Sequence, residues 1–231
     1  MAKKPQNLEP ETSIDHLNEQ MVDMAEKVQK NQKIIVWISV AVVIVVALIL
    51  GYVYLIHQPA IEKSNESIGK ADIQLALGND SVALAQYMNI ADDMSGDAQN
   101  RAALQSAILL YDKADYQGAL DYLDKFSASE SVIGAAAYSL KGDCYANLDQ
   151  LDNAVAAFKD AISKSDKNPY YTPFFMTKLA RVYRAQKNYA AEADTYQDII
   201  KNYPNFGDNY GIDMKKYAER AKLQAQGANA E

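Results

Sequence analysis

The spacing of apolar residues divides the chain into a short N-terminal segment, a membrane-length apolar run and a long region of amphipathic helices. The run from Ile34 to Ile56 contains no charged residue and, as a helix, reaches about 34 Å, slightly more than the hydrocarbon thickness of a bilayer. The polar residues that follow it do not resemble a signal-peptide cleavage site. The pattern predicts a cytoplasmic tail over 1–33, a retained transmembrane helix over 34–56 and a folded domain over 57–231.

The tail contains apolar residues at alternating steps of three and four, which predict an amphipathic helix. This stripe consists of Ile14, Leu17, Met21, Met24 and Val28. The helix could rest on the bilayer surface, or it could dock on the helix of another protein. The stripe is therefore a candidate docking site.

Lysine residues predict the direction of insertion. Lys27, Lys30 and Lys33 precede the apolar run, whereas only Lys63 lies in the ten residues after it. Because cytoplasmic flanks carry the excess of positive charge, the N-terminus is predicted to be cytoplasmic and the folded domain to lie on the other side.

The folded domain contains an internal repeat. Small residues that allow two helices to touch occur at Ala71, Ala107, Gly142 and Ala180, with separations of 36, 35 and 38 residues, close to the tetratricopeptide period of about 34. Twelve residues after each lies a second such position, and these are Ala83, Ala119, Ala154 and Glu192. The charged Glu192 breaks the pattern.

Short polar turns separate the helices predicted from this repeat. They are Gly78-Asn79-Asp80, Ser95-Gly96-Asp97, Ala114-Asp115-Tyr116, Asn147-Leu148-Asp149 and Gln186-Lys187-Asn188. A last helix, from about Tyr210 to Gln226, is predicted to cap the stack. The predicted fold is all-α: one transmembrane helix, then a solenoid of about four tetratricopeptide-like helix pairs and a capping helix.

Composition argues against several classes of function. The net charge of −7 disfavours nucleic acid as a partner. The only cysteine is Cys144, and both histidines, His16 and His57, precede the repeats. Nucleophilic catalysis and zinc binding usually need a histidine close by, so we predict no catalytic residue, no metal and no cofactor.

In a tetratricopeptide stack, the first helix of each pair lines a concave groove. By repeat register the groove residues are Ile68, Asp72, Leu75, Leu104, Ile108, Tyr111, Ser139, Asp143, Phe174, Thr177, Arg181 and Arg184. Exposed apolar members would suit extended or unfolded chains, and the arginines could bind a carboxylate. Alternatively, several of these residues simply pack inside an irregular solenoid.

The short cytoplasmic helix, the single anchor and the repeats YSLKGDCYANLDQLDNAVAAFKDAI and LARVYRAQKNYAAEADTYQDIIKNYP together resemble the YfgM-like family, in its Bacteroidota form. That family consists of ancillary subunits of the SecYEG translocon. The resemblance implies a periplasmic domain at the inner membrane that, with a PpiD-like chaperone, meets unfolded secreted chains. It implies no catalytic residue.

Two functions follow as hypotheses. The first is a translocon-associated periplasmic chaperone or adaptor for secreted proteins, with weak and sequence-tolerant binding in the groove. The second is a structural scaffold for another cell-envelope assembly or division complex. Protection of a client from aggregation would separate the two.

Overall fold

The computed structural model describes residues 20–24, 29–127, 131–207 and 211–228. These residues form helices and turns, with no strand among them, so the predicted all-α class is confirmed. The chain divides into two units, Met1–Glu62 and Lys63–Glu231.

The first unit contains α1, Gln32–Tyr52, followed by one π-helical turn, Val53–His57. No residue of α1 is buried. α1 belongs to the helical segment Gln32–Ala76, which is the one helical segment among the described residues that is long and apolar enough to cross a membrane. Such a helix fits a single-pass membrane anchor. Of the predicted tail stripe, Met21 and Met24 are exposed, whereas Ile14, Leu17 and Val28 lie outside the described residues.

The second unit is a series of helical hairpins. The helices are α2 (Gln58–Ala76, which starts in the first unit), α3 (Asp80–Asp93), α4 (Asp97–Asp112), α5 (Tyr116–Lys125), α6 (Ser131–Asn147), α7 (Leu151–Lys164), α8 (Tyr171–Ala185), α9 (Tyr189–Asn202) and α10 (Met214–Ala228). From α3 onward consecutive helices pack on each other, up to α10 on α9, and α2 shares a buried core with α3. The four predicted pairs and the capping helix are confirmed.

The capping helix α10 begins later than the sequence pattern predicted. The predicted start, Tyr210, lies outside the described residues, and the helix itself starts at Met214. The Asp213 carboxylate accepts hydrogen bonds from the backbone N–H groups of Lys215, at 3.0 Å, and Lys216, at 3.2 Å. Asp213 therefore acts as the N-cap, which is a common role for aspartate.

Small residues lie where the paired helices cross, as the repeat predicted. Ala71, Ala107 and Ala180 in the first helices are fully buried, and so are Ala83, Ala119 and Ala154 in the second. Without side-chain bulk at the crossing point, two helix backbones approach closely and the larger apolar residues pack around them.

The turn inside each pair has the same hydrogen-bonded geometry all four times. Its left-handed residues are Gly78, Ala114, Asp149 and Lys187, with φ of 75°, 61°, 58° and 60°. In the second pair, the N–H of Ala114 bonds to the carbonyl of Tyr111, and that of Asp115 to the carbonyl of Leu110. These are the two bonds of a Schellman motif, which satisfies the last carbonyls of a helix.

Candidate functional site

First helices of successive pairs line an apolar groove of about 520 Å³ in the second unit. Its residues come from α4, α6 and α8 and from the residue before α8, as the tetratricopeptide register predicts for a concave surface. They are Leu104, Ile108, Ala136, Ala137, Ser139, Leu140, Asp143, Tyr170, Tyr171, Phe174, Phe175 and Lys178.

Large apolar and aromatic side chains in this groove are open to solvent. Ile108 is 37% exposed, Phe174 45% and Tyr170 62%. The Asn168 carboxamide oxygen holds the start of α8, because it accepts hydrogen bonds from the N–H groups of Tyr170, at 3.0 Å, and Tyr171, at 3.1 Å. The aromatic side of the groove is therefore held in place by hydrogen bonds from the turn before α8.

One ion pair occupies the polar part of the groove. The Lys178 ammonium donates to the Asp143 carboxylate and, at 3.1 Å, to the Ser139 hydroxyl, and it lies 5.1 Å from the centre of the Phe174 ring. Burial raises the pKa of the Asp143 carboxyl, and the charges of Lys178 and Arg181 partly oppose this change. Because this carboxylate already has a cationic partner, it does not add an unpaired charge to the groove.

A second depression, of about 150 Å³, adjoins the groove, and Phe174 lines both. We call it the arginine recess. It is lined by Phe174, Thr177, Arg181, Arg184, Tyr196, Phe206, Ile212, Met214 and Tyr217. Its walls come from α8, α9, α10 and the connection before α10, so the capping helix contributes to a surface as well as covering the last pair.

The two arginines of the recess differ in their partners. The Arg184 guanidinium donates to Oε1 of Glu192, with 2.8 Å from its Nε, and Arg220 of α10 donates to the same oxygen at 3.3 Å. Glu192 is fully buried at the position where the other three pairs have alanine. Arg181 is exposed and forms no ion pair with any residue that the structure describes. Arg184 is thus engaged within the fold, whereas Arg181 faces solvent.

Several residues assigned to the groove from the sequence lie elsewhere. Ile68 is buried in the core, and Leu75 packs against it. The Asp72 carboxylate accepts hydrogen bonds from Tyr87 Oη, at 2.6 Å, and from Arg101. The Tyr111 ring packs edge to face on Tyr116, with 5.4 Å between ring centres, and the Asn147 amide donates to the Tyr111 hydroxyl at 3.5 Å. These side chains line neither the groove nor the arginine recess.

The structure also adds residues that the sequence register did not mark. Leu140 and Lys178 lie in the groove, one position after Ser139 and Thr177 in their helices. Tyr217 and Met214 enter the arginine recess from α10, which has no equivalent in the repeat. Helical spacing could have identified Leu140 and Lys178, because each lies next to a register position. The contribution of α10 depends on tertiary packing, which the repeat does not show.

Comparisons with known proteins agree with this architecture. The tetratricopeptide repeat-like domain family matches residues 64–184, and a tetratricopeptide repeat matches residues 176–205. A comparison with curated proteins found no match.

Solved structures of the protein MamA have a similar fold. One crystal structure has a TM-score of 0.54 at 20% identity, covering 71% of this chain and 89% of that one. Another has a TM-score of 0.51 at 19% identity, with 70% and 97% covered. The MamA RS-1 ArsTM double mutant has a TM-score of 0.52 at 16% identity, with 73% and 98% covered. At these identities the likeness concerns the fold.

Proposed function

Because the chain belongs to the tetratricopeptide repeat-like domain family, we propose that it is a membrane-anchored interaction scaffold whose groove binds extended segments of other proteins. Proteins of this kind are typically non-enzymatic, and the proposal gives no residue a catalytic role. The membrane is bound through α1, which carries no charge after Lys33 and has no buried residue.

The observation that supports this function is the exposed apolar surface on the first helices. Ile108, Tyr170, Tyr171 and Phe174 all line the groove, and each side chain is at least 37% exposed. Contiguous apolar surface of this kind costs solvation free energy and is typical of a binding site. An open groove without a dense polar network favours apolar side chains of many shapes over one specific ligand.

The more specific form of the proposal is a translocon-associated periplasmic chaperone or adaptor. The N-terminus is cytoplasmic, the repeat unit lies in the periplasm, and the groove holds unfolded secreted chains beside SecYEG and a PpiD-like chaperone. The support is the resemblance of nearly the whole chain, the lysines that precede the uncharged run 34–56 and a groove that suits sequence-tolerant binding. A scaffold for another envelope assembly or division complex is the alternative.

Client binding is tested with the full chain in lipid nanodiscs and a chemically denatured client whose aggregation is followed by light scattering. The wild type is expected to delay aggregation, and the double variant Ile108→Asp, Phe174→Ser is expected to lose most of this effect. Both side chains are partly exposed, so helicity by circular dichroism should stay unchanged. Val82→Asp, on α3 outside the groove and 49% exposed, is the matched control. Equal protection by all three proteins would reject the groove as the client site.

Partner identity is tested by placing a photo-crosslinking residue at Tyr170 and, as a control, at Val82, in living cells. The proposal predicts adducts with Sec channel subunits, a PpiD-like chaperone or secreted chains from Tyr170 only. Adducts restricted to a different envelope complex, together with absent aggregation protection, would favour the alternative. Deletion of residues 1–30 in the same cells shows whether the tail stripe contributes to capture.

A further inference from the structure

The arginine recess carries positive charge that the fold itself does not use. Lys178 is paired with Asp143, and Glu192 is shared by Arg184 and Arg220, whereas Arg181 has no such partner among the described residues. Counting these groups gives four cations and two anions, an excess of two positive charges in a chain whose net charge is −7. Asp213 and Lys215 border the next depression, and their charges offset each other. An anionic ligand is therefore favoured at this place.

The size of the recess limits what can enter it. A space of about 150 Å³ accommodates a group the size of a benzene ring, or about five water molecules. This is the volume of one side chain and is too small for a length of polypeptide. Aromatic rings of Phe174, Tyr196 and Tyr217 line the recess together with Arg181, whose guanidinium can donate a charge-assisted hydrogen bond to an anion there.

The recess lies in the middle of a longer surface. Phe174 borders the apolar groove on one side, and Ile212 and Met214 border the next depression on the other. A bound chain can therefore continue past the recess in both directions. This position favours a side-chain carboxylate from within a segment over the carboxylate at a chain end.

From the unpaired Arg181, the one-side-chain recess and its continuity with the groove, we infer that the partner segment contains an Asp or Glu shortly beyond an apolar stretch. The apolar residues occupy the groove, and the acidic side chain pairs with Arg181. This inference rests on the proposed function of the groove as a protein-binding surface, and it adds a sequence preference to it.

The inference is tested with fluorescein-labelled peptides of 14 residues, acetylated and amidated, and the full chain in nanodiscs. The first peptide contains three leucines, then two spacer residues and then one Glu. The second peptide is identical except that Gln replaces this Glu. The wild type is expected to bind the Glu peptide about fivefold more tightly in fluorescence anisotropy at 50 mM NaCl, with a smaller difference at 500 mM.

Variants assign the preference to a residue. Arg181→Gln is expected to bind both peptides equally, and Arg181→Lys to keep part of the difference, because it retains the charge without the planar fork. Lys159→Gln removes an exposed cation from α7, outside both depressions, and should behave as the wild type. Helicity is measured for every variant.

The remaining outcomes are distinct. Equal binding of the Glu and Gln peptides by the wild type, with binding still lost in the groove variant Ile108→Asp, Phe174→Ser, would overturn this inference and leave the proposed function standing. A Gln peptide with a free terminal carboxylate that binds as tightly as the Glu peptide would overturn the choice of a side chain. No binding of any peptide would overturn the groove function, and the acidic preference with it.

Discussion

Where paired helices cross, a single side chain decides how closely their backbones approach. Gly142 in α6 lies against the Phe158 ring of α7, and a Cβ atom added to this glycine would be 2.7 Å from ring atoms. Phe158 is almost fully buried, so the ring has little space into which it could move. The glycine is therefore needed for packing.

We expect Gly142→Ala to lower the free energy of unfolding by about 1–3 kcal/mol, the usual cost of overpacking. Urea unfolding of the full chain in detergent micelles, followed by circular dichroism, measures it. The control is Gly69→Ala in α2, where no described atom beyond its chain neighbours and the local helix backbone lies within 4 Å of the added Cβ. There alanine should be neutral or stabilising by about 0.5–1 kcal/mol. Similar losses for both would contradict the packing argument.

The sequence predicted the small crossing residues, but not how the exception at Glu192 is accommodated. The repeat register marked this residue only as a break in an alanine column. Its partners, Arg184 and Arg220, lie 8 and 28 residues away and come from different helices. The same ion pairs explain why Arg184, which the repeat register assigned to the groove, is engaged within the fold. Periodicity shows which face of a helix is buried, whereas ion pairs between helices depend on tertiary packing.

Glu192 also predicts a pH dependence. Burial raises the pKa of its carboxyl, and Arg184 only partly opposes this. Because the folded pKa lies above the unfolded one, the folded protein takes up this proton first as the pH falls. The stability of the wild type relative to Glu192→Gln should increase as the pH falls from the raised pKa to about 4.3, the ordinary value for glutamate.

Paired urea titrations of the wild type and Glu192→Gln across this pH range measure the effect, since their difference cancels the other carboxyl groups. Glu219→Gln, an exposed carboxyl on α10, provides the control and should give a constant difference. A wild type that becomes less stable relative to Glu192→Gln as the pH falls would show that the arginines dominate over burial.

Among the elements, the turn inside each pair combines a fixed geometry with variable sequence. The left-handed position is glycine only in the first pair and is alanine, aspartate and lysine in the others. Non-glycine residues are strained there, because Cβ approaches the following carbonyl oxygen. The sequence therefore placed the turns correctly through their polar residues, but it did not show which residue adopts positive φ.

Replacing Ala114 by glycine should relieve this strain and raise the free energy of unfolding by about 0.5–1 kcal/mol. The opposite result is expected for Ala156→Gly, at an exposed position within α7, where glycine costs about 1 kcal/mol of helix stability. Urea unfolding of both variants compares the two positions directly. Destabilisation by Ala114→Gly would mean that its backbone is not strained.

At the scale of the whole molecule, ion pairs link each helical pair to the next, and in the five such pairs among the described residues the acid comes earlier in the chain. They are Asp72–Arg101, Asp92–Lys125, Asp124–Lys141, Asp143–Lys178 and Glu192–Arg220. Each joins a helix of one pair to a helix of the following pair or to α10. Exposed pairs of this kind contribute little, whereas those with buried side chains couple neighbouring repeats more strongly.

A double-mutant cycle on Asp143→Asn and Lys178→Gln should give a coupling free energy of about 1 kcal/mol, because both side chains are about three-quarters buried. The comparison pair is Glu66–Lys70 within α2, where both side chains are mostly exposed and a coupling of about 0.3–0.5 kcal/mol is expected. Equal coupling in the two cycles would mean that burial adds nothing to the link between repeats.

The identical Schellman turns have a consequence for how such a chain can change over generations. Deleting or duplicating the segment between Ala114 and Asp149 removes or adds one complete structural module. The turn at the junction keeps the same backbone conformation, because both residues have a left-handed φ close to 60°. Length can thus vary in steps of a module without disturbing the phase of any helix. Duplication and deletion of gene fragments would lengthen or shorten the concave surface, and with it the stretch of polypeptide that one copy can hold.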